Sequence, residues 1–540
     1  MMRAKHSPPL GGASEVLELK ADVLVLGGGP AGTWAGWRAA VGGATVVLVD
    51  KGYCGSSGAT ASGGTGVWYV APHREAREAA MASREKMGGL LADRGWMGRV
   101  LDQTYDTMNQ LADWGYPFPL DEAAQPYRKS LQGPEYMRLM RRRIQKAGVT
   151  ILDQSPALEL IVDASGAVVG AAGIQRQSGH RWQVRSGAVV IATGGCAFLS
   201  KALGCNVLTG DGYLLAAEAG GEMSGMEFSN AYAIAPAFAS VTKTLFYNWA
   251  TFTYEDGRVI EGAGSQRGRS MIATTLLTQP VYAQLDKASP ELQVSMRAAQ
   301  PNFFLPFDRL GIDPFRQRFP VTLRLEGTVR GTGGIRIVDE GCATSVPGLY
   351  AAGDAATREL ICGGFTGGGS HNAAWAMSSG QWAGQAAACY ALARGIPDGA
   401  VESIGGAALR PHQDIDRDLQ VEELIKAVQA EVFPYDYNYF RTQSGLTASL
   451  SRLNSLWQQV RNGFNPDPTA LGRGREVAAM IATARWMYAS ALQRTESRGM
   501  HKHLDYPEQD PSQQHRLLSG GLDHLWIKPE TQLANSLEAL

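Results

Sequence analysis

The run Ala21-Asp22-Val23-Leu24-Val25-Leu26-Gly27-Gly28-Gly29-Pro30-Ala31-Gly32 constrains this chain more than any other. A short apolar stretch followed by clustered glycines spells a buried parallel strand, a tight turn and a helix start. Thr45-Val46-Val47-Leu48-Val49 forms a second apolar strand that ends at Asp50 and Lys51. Gly27, Gly29 and Gly32 have the G-x-G-x-x-G spacing of a dinucleotide-binding βαβ unit. The first glycine permits the turn, the second lets backbone approach a pyrophosphate, and the third lets helix and strand pack closely. Pro30 and Ala31 then open a helix whose unpaired N–H groups face an anion. Asp50 is placed to accept hydrogen bonds from a ribose hydroxyl. The spacing alone is a weak signal; the order strand, glycines, helix, acid strengthens it, against the plainer reading of a βαβ core unit.

Composition narrows the classes. A chain of 540 residues holds two or three domains. The formal net charge of −1 leaves no electrostatic footprint for nucleic acid. Cys54, Cys196, Cys205, Cys342, Cys362 and Cys389 are scattered without a C-x-x-C pair, and the nine His have no metal-ligand spacing. Neither an iron–sulfur cluster, a zinc site nor any other metal is expected within the chain. The residues up to Lys20 lack the apolar centre of a signal peptide, and no apolar run approaches the roughly 18 residues of a membrane span. The expected compartment is cytoplasmic.

Farther along, Lys51 to Gly66 is built of small residues, among them Ser57, Gly58, Ala59, Thr60, Ser62, Gly63 and Gly64. They suit a loop pressed against a flat ligand, or a surface loop. Residues 75–150 have helical periodicity, with Trp96 and Trp114 as core. Residues 149–185 change to alternation and turns, a strand followed by a β-meander in which Ala157 opens one strand. Ala188 to Gly195 is another buried strand, ending at Thr193 and Gly194. Asp211 follows Thr209-Gly210 at the start of an alanine-rich helix, where the helix dipole favours an acid. Residues 222–323 break the rhythm as an inserted α+β segment. Val346 to Asp354 restores it, delivering Gly353 and Asp354 at a strand's carboxyl end. A glycine run ending at Gly369 leads into a long helix through Ser370, Asn372 and Ala373. Three helices fill 413–494, and the last stretch is expected as an extended arm. The fold class is α/β, a split Rossmann-like domain with a β-meander. Its parts are 1–221 and 324–410, with a capping domain at 222–323 and a helical C-terminal domain and arm at 411–540.

Several separated stretches resemble one family. The glycine motif, Ser57-Gly58-Ala59, Ala192-Thr193-Gly194-Gly195, Thr209-Gly210-Asp211-Gly212, Met226-Glu227-Phe228, Gly348 to Asp354 and Glu496-Ser497-Arg498-Gly499 are similar to the flavoproteins of fumarate reductase, succinate dehydrogenase, L-aspartate oxidase and adenylylsulfate reductase. The resemblance implies FAD held between the split α/β domain and the inserted cap. The Ser57 loop looks closest to the adenylylsulfate reductase flavoproteins. Where succinate dehydrogenases carry a flavin-linking histidine, this chain has Ser57, so the FAD is expected to be non-covalent. The family's dicarboxylate clamp falls at Tyr232-Ala233-Ile234, at Val329 and near Gly367, none of which supplies the His or Arg. Each lost charge-assisted contact removes roughly 1.5–3 kcal/mol, so a C4 dicarboxylate substrate is not expected.

Against that background, Arg267 and Arg269 stand near the family's catalytic arginine, as anchors for an anion or as a solvated pair. His371 is a candidate acid/base near neutral pH, or a structural cap. Tyr232 is a candidate substrate wall or proton donor, or a core aromatic. Arg330 and Trp375 flank turns near the flavin and are candidates for substrate contact. His501 and His503 are expected to be structural. The expected activity is hydride transfer between a small organic substrate, anionic in the reading that uses the arginines, and flavin N5. Electrons would then pass to O₂, a quinone or a ferredoxin-type protein. The alternatives are an adenylylsulfate-reductase-like flavoprotein with an iron–sulfur partner, or a non-catalytic flavin-containing assembly or electron-transfer component.

Overall fold

The computed structural model describes residues 16–120, 125–242, 244–264, 268–366, 370–410, 420–463 and 468–530. The glycine-motif unit is β1 (Leu17–Leu26), α1 (Pro30–Val41) and β2 (Val46–Val49). A short strand β3 (Gly64–Gly66) precedes helices α2 (Arg74–Met87) and α3 (Arg94–Asp113), then β4 (Ser130–Gln132) and α4 (Gly133–Lys146). Next come β5 (Thr150–Leu152), the meander β6 (Ala157–Asp163), β7 (Val168–Ile174) and β8 (Arg181–Ile191), and helix α5 (Asp211–Glu218). Strand β9 (Met223–Ser224) leads to β10 (Ala231–Pro236), β11 (Thr251–Thr253), α6 (Gly268–Leu276), β12 (Val281–Gln284), α7 (Pro290–Ala299), α8 (Pro301–Leu310) and β13 (Phe319–Gly327). The chain returns through β14 (Gly334–Ile335), β15 (Leu349–Ala351), α9 (Glu359–Cys362), α10 (Ser370–Arg394) and β16 (Val401–Ser403). It closes with α11 (Val421–Val432), α12 (Tyr435–Asn438), α13 (Gln443–Asn462), α14 (Pro468–Gln493), β17 (Leu517–Gly520) and β18 (Trp526–Pro529).

The large sheet runs β16-β6-β7-β8-β1-β2-β5, with β15 also on β8. Its β1, β2, β5 and β15 pairings are parallel, and the meander pairings are antiparallel. Strand β8 serves both halves. Its first residues pair with β7, and Val189–Ile191 lie between β1 and β15. That double role explains its length: β8 carries the chain from the meander into the parallel sheet. Leu24 and Val25 are fully buried, each contributing about 1.5–3 kcal/mol by leaving water. Helix α10 packs on α1 with almost no space between backbones. A Cβ at Gly380 would meet Ala31 O at 2.4 Å, and one at Gly384 would meet Ala35 O at 2.3 Å.

A separate antiparallel sheet, β10-β13-β12-β11, with α6, α7 and α8, forms the cap. The sequence boundaries 222 and 323 cut across elements: β9 pairs with β14 and β17 rather than with the cap sheet, and β13 continues to Gly327. Between Arg494 and Pro529 the chain is packed onto the fold rather than extended as an arm. Strand β17 pairs with β9 and β18, and Arg494, Glu496 and Arg498 form a buried ion network with Glu227. His501 is fully buried, its Nδ1 2.7 Å from Arg441 and its Nε2 3.0 Å from Arg494 O. Polar composition hid this packing, because charges that neutralise one another inside a fold look like solvent-seeking charges in a sequence. Among the described residues no helix is long and apolar enough to cross a membrane.

Candidate functional site

A cavity of about 540 Å³ opens along the carboxyl ends of β1, β2 and β8. At one end it is lined by Gly27, Gly29, Pro30 and Ala31, by Asp50 and Lys51, by Ala157, and by Thr193, Gly194 and Asp211. Farther along come Ser57, Gly58, Ala59, Thr60 and Gly64, then Gly353, Asp354, Ser370, Asn372 and Ala373. Local geometry shows what each glycine of the motif does. Gly27 has φ +107°, and a Cβ there would lie 2.3 Å from Ala192 O. A Cβ at Gly32 would lie 1.8 Å from Gly27 O, so Gly32 serves helix–strand packing and is not on the cavity wall. A Cβ at Gly29 meets nothing within 4 Å, so this glycine faces open space.

Several groups at this wall await a partner. Helix α1 begins with no side-chain cap and no acid in its first turn, so its N-terminal dipole is uncompensated. Thr193 Oγ1 and Asn372 Oδ1 are buried with no hydrogen-bond partner among the described residues. These features fit a large anionic ligand with hydroxyl groups, and FAD meets the description. Asp50 lines the cavity and is also tied to its own turns. Its Oδ2 accepts from Gly28 N at 2.6 Å and its Oδ1 from Gly52 N at 2.7 Å, fixing the turns on both sides. Burial raises its pKa against those two hydrogen bonds.

The other end of the cavity lies under the cap. Thr244, Leu245, Phe246 and Gln300 reach it from the cap, and Thr65, Gly66, Tyr127, Lys129, Ser130 and Gln132 from the β3–β4 pair and its approach. Sequence reasoning missed this set, because strands of three residues carry no readable period. Val329 and Arg330 complete the wall. Arg330 Nε lies 3.2 Å from the fully buried Glu326, which also accepts from Thr242 Oγ1 at 2.5 Å. Thr366 Oγ1 donates to Arg330 O at 2.7 Å. Lys129 is exposed, with no side-chain partner among the described residues. Asp354 Oδ1 is 2.5 Å from Arg358, whose buried guanidinium also donates to Thr328 O.

Folding withdraws most of the catalytic candidates from this cavity. Tyr232 is 3% exposed and off the wall; its hydroxyl donates to Val432 O at 2.8 Å, tying the cap to α11. Desolvation holds its pKa well above the ordinary phenol value, so it is a core aromatic. His371 is 3% exposed and tilted against Trp68, unlike its neighbours Ser370 and Asn372, which line the cavity. Burial, helped by Arg84, pushes its pKa down to about 3, which disfavours the charged form. Arg269 sits off the wall, close enough to Arg330 for the two charges to repel; burial and that repulsion lower its pKa to about 10. Ser62 and Gly63 are also off the wall, Gly63 O accepting from Gly133 N at 2.8 Å. Trp375 is buried with Nε1 on Gly353 O at 3.1 Å. Arg267, Gly367 and Gly369 lie outside the described residues.

Residues 22–236 match the FAD binding domain family, and residues 427–523 match the family described as the fumarate reductase flavoprotein C-terminal region. The chain is similar to one subunit of the CoM/CoB fumarate reductase of Methanothermobacter marburgensis, 24% identical over 92% of this chain and 96% of that one. It is 28% identical to the L-aspartate oxidase of Caulobacter vibrioides over 67% of this chain and 66% of that one. A solved quinol fumarate reductase structure from E. coli superposes with a TM-score of 0.82 at 20% identity, covering 95% of this chain and 97% of that one.

Proposed function

Since this chain is an FAD-dependent oxidoreductase of the fumarate reductase and succinate dehydrogenase flavoprotein family, we propose that it moves a hydride between flavin N5 and a small anionic organic acid that is not a C4 dicarboxylate. FAD, when bound, supplies the two-electron acceptor. The protein supplies binding and orientation. Arg330 on the wall is the observation that carries the reading. Its Nε is held by Glu326, which fixes the guanidinium as an anchor for one carboxylate. Lys129 adds a second cation at the opening. Val329, where the family clamp has histidine, offers only apolar contact. Leu245 and Phe246 of the cap give the substrate end an apolar wall. Dehydrogenation across a C–C or C–N bond, in which a C–H bond breaks and its hydride goes to flavin N5, fits this combination of one fixed cation and apolar walls. The second half-reaction passes electrons to a separate acceptor, a quinone, dioxygen or an electron-transfer protein.

The test is anaerobic flavin bleaching against amino acids, hydroxy acids, unsaturated monoacids, sulfite with AMP, succinate and the reverse reaction with fumarate. Bleaching by a monoacid supports the reading. Rapid turnover of succinate or fumarate overturns it, and bleaching by sulfite with AMP alone replaces it with an adenylylsulfate-reductase-like role.

A further inference from the structure

Lys51 joins three distant parts of the chain at the wall of the cofactor cavity. Its ammonium donates to Thr209 Oγ1 at 2.6 Å and to Asp211 Oδ2 at 2.8 Å, both from the loop and start of α5. The third contact is Glu476 Oε1 at 2.9 Å, from α14 of the C-terminal domain. An ammonium has three protons, and all three are used. Glu476 is itself 5% exposed and held from the other side by Arg473 at 2.8 Å, which in turn reaches Glu422 at 2.7 Å. Burial disfavours the Lys51 charge, but Asp211 and Glu476 more than offset it.

Beneath α14 is a second hollow of about 160 Å³. It shares Lys51, Pro156, Ala157 and Asp211 with the main cavity. In a unit of this kind a pyrophosphate would be held at the N-terminus of α1 and a ribose near the acid after β2, so Lys51, next after Asp50, would stand by the adenosine end. The C-terminal domain, through Glu476, would then close that end of the cavity.

We propose that Glu476 is a positioning residue for FAD: by fixing Lys51 against Asp211 it makes retention of the adenosine end depend on the docking of α14. Without Glu476 the Lys51 ammonium has one donor unpaired and rotates, the wall it forms loosens, and the hollow opens to water. The inference rests on FAD in the cavity and is independent of the substrate reading.

The experiment uses the FAD-loaded protein and follows cofactor release by the recovery of free flavin fluorescence, with melting temperatures of the holo and apo forms. Glu476→Ala is expected to speed FAD release roughly tenfold, equivalent to about 1.4 kcal/mol, and to shrink the melting-temperature gain from FAD. Glu476→Gln, which keeps an acceptor but no charge, should fall between. Glu422→Ala at the exposed outer end should leave release unchanged. If Glu476→Ala does not fold, Glu476→Gln decides. Unchanged release in the variants that fold, or equal loss of melting temperature in holo and apo forms with no change in release, overturns the proposal.

Discussion

The imidazole of His371 lies on the indole of Trp68 with ring centroids 4.6 Å apart, and its Nε2 is buried without a hydrogen-bond partner among the described residues. The ring is neutral, since burial holds its pKa near 3. The unfolded chain would titrate at about 6.5, so it takes up a proton first as pH falls. The stability that depends on the neutral ring is complete above that value and is lost as pH falls from about 6.5 towards 3. His371→Gln should remove up to about 1.4 kcal/mol of that loss per pH unit. Denaturant melts of both proteins at pH 7.5 and 5 check this. A pH–rate profile that loses an inflection near neutrality in the variant would show that His371 titrates there after all.

Gly29 and Gly32 are expected to respond oppositely to the same methyl group. Gly29→Ala places a Cβ in open space and should fold with near-normal stability while losing FAD affinity by roughly tenfold or more. Gly32→Ala drives a Cβ into Gly27 O and should cost more than about 3 kcal/mol of stability. Flavin content after purification, beside the apo melting temperature, separates the two.

Arg330→Gln should raise KM for the physiological acid by at least about tenfold, since one charge-assisted contact is worth roughly 1.5–3 kcal/mol. It should also lower stability by a few kcal/mol, because Glu326 is fully buried and loses its ion pair. Arg330→Lys should restore the charge but not the fixed geometry, giving an intermediate KM. An unchanged KM in Arg330→Gln removes the anchor from the proposed chemistry.

Ser57 Oγ accepts from Tyr53 N at 2.6 Å and so belongs to its own turn at the cavity wall. A neutral hydroxyl held this way does not attach a flavin. Acid precipitation should leave a colourless pellet and a yellow supernatant.

Tyr232→Phe should cost about 0.5–1.5 kcal/mol, the net worth of its hydrogen bond to Val432 O, and leave kcat unaltered. A large fall in kcat at unchanged stability would return Tyr232 to the reaction.

The parallel sheet, the glycine turn, the meander, the inserted cap and the long helix from Ser370 were legible in the residues, because each depends on neighbours in the chain. Alternation marks a half-buried strand, and a positive φ at Gly27 or a close approach at Gly32 requires a glycine that can be read directly. The substrate end was not legible in this way. Arg330 was named beforehand as lying near the flavin, but Lys129, Thr244 and Gln300 come from segments far apart in the chain, and nothing local says that they meet it. Nor does local chemistry say whether a polar side chain is in water or sealed inside. His371 and Tyr232 carry functional-looking groups, and both are buried away from the cavity wall. Burial and long-range pairing are properties of the closed chain, set by the total apolar area hidden and by the need to satisfy each polar group that goes with it.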